Sequence, residues 1–150
     1  MLSVGTKVKN FSLPDAYGNL HHFDDYKHQT VVVYFYPKDN TSGCTTQACA
    51  FRDLNQIYEE KNIKVIGISK DSPKSHQSFI MNHQLPFLLL SDESLDVIQT
   101  FGVWVEKSMY GRKYMGVARA TFVIQDGIIT HVFEKASPKE NASDILKALK

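Results

Sequence analysis

The chain has 150 residues, 43% hydrophobic and 22% charged, so it can bury the core of one compact domain over residues 1–150 and is too short for two ordinary domains. Its formal net charge of +1, without long runs of lysine or arginine, argues against a nucleic acid as partner. No apolar run reaches the length of a membrane span, and residues 1–5 lack the pattern of a signal peptide, so we expect a cytoplasmic protein with no membrane partner.

Strands and helices alternate in the first half of the chain. Residues 31–36 are a β-branched and aromatic run that predicts a strand buried on both faces and ended by Pro37. Apolar residues at helical spacing predict an amphipathic helix over residues 44–60. A second buried strand is predicted over residues 65–69, and a serine cap followed by proline predicts a helix over residues 72–83.

The alternation of predicted strands and helices is less clear in the middle of the chain. A third strand is predicted over residues 87–90, and Asp92 or Ser94 is a candidate cap for a short helix that ends at Phe101. Residues 103–118 contain two glycines among lysines, tyrosines and methionines, which favours an irregular segment or a weak strand.

The last part of the chain predicts a hairpin and a helix. Strands over residues 121–124 and 128–133 flank the turn dipeptide Asp126-Gly127, which favours an antiparallel pair. A final helix is predicted over residues 142–149, capped by an asparagine or a serine at its start. Together these elements predict an α/β fold with a central mixed β-sheet and helices on both faces.

The most informative residues are the two cysteines, Cys44 and Cys49, which are the only ones in the chain. Cys44 follows the carboxyl end of a central strand, where open α/β sheets place their ligand crevices. It also lies at the start of a predicted helix, a setting that favours ionisation of a thiol. In a reducing cytosol such a pair is more often catalytic, redox-sensing or metal-binding than structural.

Three targets are open to a thiolate at Cys44: a peroxide oxygen, a disulfide sulfur or a carbonyl carbon. Carbonyl attack usually requires a histidine base, and the six histidines give no pairing signal. Peroxide attack requires donors around the two oxygens, for which Thr41 and the backbone N–H groups near Cys44 are suitable, together with an arginine. The spacing of the cysteines disfavours a disulfide oxidoreductase of the Cys-x-x-Cys kind, whereas a redox-sensing or chaperone-like binding protein stays open.

Pro37, Thr41 and Cys44 match the Pro-x-x-x-Thr-x-x-Cys motif of peroxiredoxins, and the longer string resembles the bacterioferritin comigratory protein, or Q-type, branch. Residues 5–13 and 107–122 resemble that branch as well. The resemblance implies a thioredoxin-like fold with the N-terminal extension of peroxiredoxins. It also implies thiol-dependent reduction of hydrogen peroxide and organic hydroperoxides.

The same resemblance implies a role for each site residue. Cys44 would be the peroxidatic nucleophile, Thr41 would hydrogen-bond the thiolate and the peroxide, and Pro37 would shield the pocket from water. Arg119 would stabilise the thiolate and the transition state, and Cys49 would be the resolving cysteine. A thioredoxin or glutaredoxin system would supply electrons without a metal or organic cofactor, and we expect a monomer.

Local patterns allow other roles for three of these residues. Cys49 could instead be a packed helix residue in an enzyme that uses a thiol from another molecule. Arg119 could be a surface residue in an ion pair, and Thr41 could serve only as a helix cap. The chain departs from the branch at Ser42, where proline is common, and at Gln47, where many relatives have glutamate. The loss of that acid weakens any detailed expectation of how Arg119 is oriented.

The spacing of the cysteines has a mechanical consequence. Five residues along an ideal α-helix separate two Cα atoms by roughly 8.6 Å, whereas a disulfide tolerates at most about 7 Å. We therefore predict that a bond between Cys44 and Cys49 requires the first turns of the helix to unwind.

Overall fold

Nine strands and five α-helices form an α/β fold in residues 1–149, the part of the chain described by this computed structural model. The strands are β1 (Ser12–Pro14), β2 (Leu20–His22), β3 (Thr30–Phe35), β4 (Ile63–Ser69), β5 (Leu88–Ser91), β6 (Trp104–Met109), β7 (Arg112–Val117), β8 (Ala120–Gln125) and β9 (Ile128–Phe133). The helices are α1 (Ser42–Asp53), α2 (Asn55–Glu60), α3 (Pro73–His83), α4 (Asp96–Thr100) and α5 (Asn141–Ala148).

A central mixed sheet has the strand order β5-β4-β3-β8-β9. Strand β3 pairs in parallel with β4 and antiparallel with β8, and β8 and β9 form the predicted hairpin. Strands β1 and β2 form a separate antiparallel pair, as do β6 and β7. The mixed sheet predicted from the sequence is therefore confirmed.

Strand β3 lies at the centre of this sheet and is buried on both faces. Val31, Val33 and Phe35 belong to one core cluster, whereas Val32 and Tyr34 belong to the cluster on the opposite face. Successive side chains of a strand point to opposite faces, so a strand between two packed layers needs a continuous apolar run. The predicted two-sided burial is confirmed.

The segment before β3 lies against both edges of the sheet. Lys7 forms an antiparallel bridge to Ile128 of β9, and Asp15 bridges Leu90 of β5. Its two strands, β1 and β2, were not predicted, because each has three residues and the β2 side chains are exposed or half-buried. They therefore lack the buried alternation that identifies a strand.

The single helix predicted over residues 44–60 is wrong, because the chain forms two helices there. Leu54 lies between α1 and α2 with φ −102° and ψ 6°, outside the helical range. The N–H of Tyr58 still donates to the carbonyl of Leu54 at 3.1 Å. The apolar spacing continues across so short a break, and periodicity therefore conceals it.

For residues 103–118 the predicted irregular segment is wrong, whereas the alternative of a weak strand is nearer, because this segment is regular. It is the hairpin of β6 and β7, in register from Trp104 opposite Val117 to Met109 opposite Arg112. The turn residues Tyr110-Gly111 have φ values of 52° and 78°, as a tight primed turn requires. Because most of its side chains are exposed or half-buried and the turn begins with tyrosine, the segment carries neither usual signal of a hairpin.

Of the two caps predicted for the short helix before Phe101, Asp92 is confirmed as an acceptor for an N–H group of the first turn, and Ser94 is wrong. Helix α4 begins at Asp96 after Leu95, which has φ 70° and makes no cap hydrogen bond with its own side chain. Ser94 makes only a long contact of 3.4 Å to the N–H of Asp96. Asp92 is buried and reaches further into the helix, where its carboxylate accepts from the N–H of Ile98 at 2.7 Å.

The caps of two other helices have different outcomes. Ser72 caps α3 as predicted, accepting from the N–H of Ser75 at 3.2 Å. Helix α5 has Glu140 at its cap position with no side-chain cap, so the predicted caps Asn141 and Ser143 are wrong. Asn141 is buried, and its side chain serves the site described next.

None of the helices in residues 1–149 is both long and apolar enough to cross a membrane.

Candidate active site

Cys44 is positioned by the connection between the central strand β3 and helix α1. It is the third residue of α1, after Thr41 at the cap position, and its side chain is buried at 2% exposure. The first hydrogen bond of the helix runs from the N–H of Thr45 to the carbonyl of Thr41 at 2.9 Å. The N–H groups of the preceding turn, including that of Cys44, therefore have no acceptor within the helix, and they favour a negative charge there.

Arg119 reaches Cys44 because of the strand register. Ala120, the first residue of β8, lies opposite Phe35, the last residue of β3, so the start of β8 lies beside the end of β3. The Nη2 atom of Arg119 donates to the Sγ atom of Cys44 at 3.4 Å. A guanidinium at this distance stabilises a thiolate and any negative charge that develops beside it.

A buried amide network holds the guanidinium in place. The Nη1 atom of Arg119 donates to Oε1 of Gln47 at 2.8 Å, and Nε2 of Gln47 donates to Oδ1 of Asn141 at 3.2 Å. Thr121 donates its hydroxyl to the same Asn141 oxygen at 2.8 Å. The orientation of Arg119 is therefore fixed by neutral groups from α1, β8 and α5.

Gly43 permits the close approach of Arg119 to the helix. A Cβ atom at this position would lie 3.0 Å from Nη2 of Arg119, which is closer than real Cβ contacts normally come. The φ of Gly43 is not in the left-handed region, so glycine is needed here for space and not for backbone conformation.

Lys107 on β6 brings a second cation to the site. Burial lowers the pKa of Lys107, and the positive charge of Arg119 lowers it further, whereas Cys44 acts in the opposite direction. The Lys107 side chain lies across Gly116, where a Cβ would be 3.2 Å from its Cδ atom. The hairpin that was not predicted therefore contributes a cation to the surroundings of Cys44.

The comparison with protein families gives a direct match. The model of the AhpC/TSA family matches residues 4–132. The chain belongs to the AhpC/TSA family. Among its relatives in that family, peroxiredoxin Bcp of Escherichia coli K12 is 42% identical over 150 residues, a match that covers 99% of this chain and 96% of the relative.

Solved structures agree with the family. A mutant of PrxQ from Xylella fastidiosa superposes with a TM-score of 0.94 at 32% identity, covering 99% of this chain and 96% of that one. The bacterioferritin comigratory protein of Xanthomonas campestris, solved in trapped intermediate and ligand complexes that concern its alkyl peroxide reduction, has a TM-score of 0.87 at 32% identity over 93% and 89% of the two chains. The thioredoxin-like fold and membership among the peroxiredoxins, which are thiol peroxidases, are thus confirmed.

The other candidate site residues of this AhpC/TSA protein lie on the same loop and helix. Thr41 is exposed, and its hydroxyl donates to the carbonyl of Lys38 at 2.8 Å, so it occupies the cap position of α1 without capping it through its side chain. Pro37 is half-buried and begins the loop that follows β3. Cys49 is half-buried on α1, and both cysteines are thiols in this structure.

Tyr34 lies in the core cluster that contains Cys44, and it is completely buried. Burial raises the pKa of Tyr34 well above its ordinary value, and the charges of Cys44 and Asp39 act in the same direction. Its hydroxyl has no hydrogen-bond partner among residues 1–149.

Sequence reasoning missed two side chains near the reactive loop of this peroxiredoxin. Asn141 was taken as a helix cap, and no sequence signal connects it to Gln47, 94 positions away. His76 is buried and contacts Asp39 of the loop at 2.7 Å, although the histidines gave no pairing signal in the sequence. Within the described residues, no group of three or more histidine, cysteine or acidic side chains is arranged to hold a metal ion.

Proposed function

We propose that this peroxiredoxin reduces hydrogen peroxide and organic hydroperoxides through Cys44, with Cys49 as the resolving cysteine. The observation that carries the proposal is the contact of 3.4 Å between Nη2 of Arg119 and Sγ of Cys44, at the N-terminal turn of α1. A guanidinium and a helix N-terminus both favour the thiolate, which is the nucleophilic form of cysteine. The alkyl peroxide reduction named for the Xanthomonas campestris relative supports the organic hydroperoxides.

In the first step the Cys44 thiolate attacks one oxygen of the peroxide. The S–O bond forms as the O–O bond breaks, and the second oxygen leaves as hydroxide or alkoxide and takes up a proton to give water or an alcohol. Sulfur is oxidised from thiolate to sulfenic acid, and the peroxide is reduced by two electrons. Arg119 would stabilise the charge that moves onto the leaving oxygen, a role that its contact with the Cys44 sulfur supports.

The loop before α1 would complete the pocket. Thr41 would turn its hydroxyl from the carbonyl of Lys38, its present acceptor, toward the thiolate or the bound peroxide. Pro37, at the beginning of the loop, would keep water from the sulfur. Both roles rest on the peroxiredoxin motif that these residues match.

In the second step Cys49 attacks the sulfenic sulfur of Cys44. The S–S bond forms, the S–O bond breaks, and the hydroxyl leaves as water with a proton. The two cysteines lie in one uninterrupted helix, Ser42–Asp53, where ideal geometry separates their Cα atoms by roughly 8.6 Å. A disulfide spans at most about 7 Å between Cα atoms, so the first turns of α1 must unwind before the bond can form.

The cycle would close when an outside dithiol reduces the disulfide. We propose a thioredoxin or glutaredoxin-type protein as this reductant, and a single-domain, cytoplasmic monomer over residues 1–150 that works without a metal or organic cofactor. A reducing cytosol would keep both cysteines ready for the next turn.

A coupled turnover assay tests the proposal. The wild-type protein, Cys44→Ser and Cys49→Ser are each supplied with hydrogen peroxide, thioredoxin, thioredoxin reductase and NADPH. Wild-type protein should oxidise many equivalents of NADPH, Cys44→Ser none above background, and Cys49→Ser far fewer, with a sulfenic acid on Cys44 that dimedone traps. Full turnover by Cys44→Ser would refute the assignment, and a redox sensor without peroxidase activity would use no more than one equivalent per Cys44.

A further inference from the structure

We infer that Asp39 and His76 form a buried ionic clamp that positions the loop between β3 and α1, and through it Cys44. Both are positioning residues, since neither contacts the sulfur in this structure. Their importance for catalysis rests on the proposed function of Cys44, whereas the ionic state of the pair does not.

The hydrogen bonds of His76 determine its protonation. Its Nδ1 atom lies 2.7 Å from Oδ2 of Asp39, and its Nε2 atom lies 3.1 Å from the carbonyl oxygen of Leu90 on β5. A carbonyl oxygen can only accept, so Nε2 carries a proton. If Asp39 is a carboxylate, Nδ1 carries a proton too, and His76 is an imidazolium.

The surroundings of Asp39 favour the carboxylate. Tyr36 donates its hydroxyl to Oδ1 of Asp39 at 2.6 Å, and Ser75 donates its hydroxyl to Oδ2 at 2.8 Å. With His76, three donors converge on one carboxyl group, and a carboxylate accepts such hydrogen bonds more strongly than a neutral carboxyl group does. Burial and the charge of Asp39 raise the pKa of Tyr36 well above its ordinary value, so its hydroxyl remains a donor.

One further acid lies beside the pair. Asp71, in the loop after β4, accepts from the backbone N–H of Asp39 at 2.9 Å and from the hydroxyl of Ser69 at 2.7 Å. The titratable groups that face the pair are thus Tyr36 and Asp71.

The pair is the anchor of an otherwise exposed loop. Lys38, Asn40 and Thr41 are exposed, whereas the Asp39 side chain is 1% exposed and that of His76 is 0% exposed. Asn40 has a φ of 59°, so the backbone turns sharply between the anchor and the start of α1. Asp39 therefore fixes the loop to α3 and β5 just before the helix that holds Cys44.

A buried ion pair of this kind responds in a characteristic way to substitution. Removing one partner leaves the other charged and uncompensated, which is more disruptive than replacing both by neutral groups. Because the clamp holds the loop and not the sheet, its loss should loosen residues 38–44 while the amides of β3 stay protected.

Nitrogen-15 NMR of the wild-type protein is the first test. We expect both ring nitrogens of His76 to carry a proton at neutral pH, and one of them to lose it in Asp39→Asn. A wild-type spectrum with one bare ring nitrogen would overturn the ionic clamp. This result is independent of any reaction with peroxide.

The second test follows the loop in His76→Asn, with exposed His28→Asn as the matched control. Amide exchange at Asp39, whose N–H donates to Asp71, and at Thr45, the first hydrogen-bonded amide of α1, should rise at least about tenfold in His76→Asn. The rate of Cys44 oxidation by hydrogen peroxide should fall by about the same factor. The double variant Asp39→Asn/His76→Asn should exchange more slowly than His76→Asn. Unchanged loop exchange in a folded His76→Asn protein would refute the positioning role, whereas failure of wild-type protein to react with peroxide would refute the proposed function alone.

Discussion

The guanidinium of Arg119 occupies a narrow space between a sulfur, an amide and a helix backbone. It contacts Cys44 at 3.4 Å and Gln47 at 2.8 Å, and Gly43 leaves room for it where a Cβ would lie 3.0 Å from Nη2. The position of this cation relative to the thiolate thus depends on a residue that takes no part in the chemistry.

Gly43→Ala should slow the reaction with peroxide without destabilising the fold. The new methyl group displaces Nη2 by a few tenths of an ångström and weakens a charge-assisted hydrogen bond by about 1 kcal/mol, which corresponds to about a fivefold slower oxidation of Cys44. Stopped-flow oxidation kinetics measure the rate, and urea unfolding measures the stability.

Ser42→Ala, one residue earlier at the exposed start of α1, is the matched control and should keep the wild-type rate. Alanine is the better helix former, so Gly43→Ala should be as stable as wild-type protein or more so. A wild-type rate for Gly43→Ala would contradict the account of Arg119.

For single residues, the sequence predicted which side chains belong to the site better than it predicted their hydrogen-bond partners. The motif and its resemblance identified Cys44 and Arg119, and the structure places the two in contact. The loss of an acid at Gln47 was expected to leave the orientation of Arg119 in doubt, yet the amide oxygen accepts the same kind of hydrogen bond. Such a contact depends on the strand register between β3 and β8, which no local pattern contains.

The proposed cycle gives helix α1 two tasks that conflict. Its N-terminal turn holds Cys44 in a setting that favours the thiolate, but the same intact helix keeps Cys49 beyond the reach of a disulfide. The proposed cycle therefore requires the helix to be folded for the attack on peroxide and partly unfolded for resolution.

Oxidised protein should show this unfolding directly. After stoichiometric hydrogen peroxide, amides of residues 45–49 should lose their protection against exchange, because the Cys44–Cys49 bond cannot form on an intact helix. Hydrogen exchange with mass spectrometry measures it, with α3 (Pro73–His83) as the internal reference that should not change. Retained protection of α1 in protein that carries the disulfide would contradict the prediction.

Elements with a buried, periodic face were predictable, and the others were not. Strand β9 and helix α3 have the predicted bounds, because their apolar pattern and turn or cap residues agree. The break at Leu54 and the β6–β7 hairpin were missed for a common reason: neither is marked by a change in the spacing of apolar residues. The hairpin is held by backbone hydrogen bonds. Every residue type except proline can form them, so they leave no pattern of side chains in the sequence.

The core of the whole molecule consists of two apolar clusters on opposite faces of the central sheet. Some buried polar atoms in these clusters have a hydrogen-bond partner, and others have none. The hydroxyl of Tyr58 donates to the carbonyl of Ala142 at 2.6 Å, whereas the hydroxyl of Tyr34, equally buried, has no partner among residues 1–149. Removing the hydroxyl groups of these two tyrosines should therefore change the free energy of unfolding in opposite directions.

Tyr34→Phe should keep or raise the free energy of unfolding by up to about 1 kcal/mol, because it removes an unpaired buried hydroxyl. Tyr58→Phe should lower it by about 1 kcal/mol, because it removes the hydrogen bond that the Tyr58 hydroxyl donates to the Ala142 carbonyl. Urea unfolding followed by the fluorescence of Trp104, the single tryptophan, measures both. A larger loss for Tyr34→Phe than for Tyr58→Phe would show that the Tyr34 hydroxyl has a partner in solution.

The proposed cycle rests on Cys44 as the nucleophile that takes an oxygen atom from peroxide, and on Cys49 as its resolving partner. Peptide mass spectrometry after one equivalent of hydrogen peroxide tests this most directly, on wild-type protein and on Cys49→Ser in the presence of dimedone. We expect a Cys44–Cys49 disulfide in the first sample and a dimedone adduct on Cys44 in the second. An unmodified Cys44 in both samples would contradict the proposed cycle.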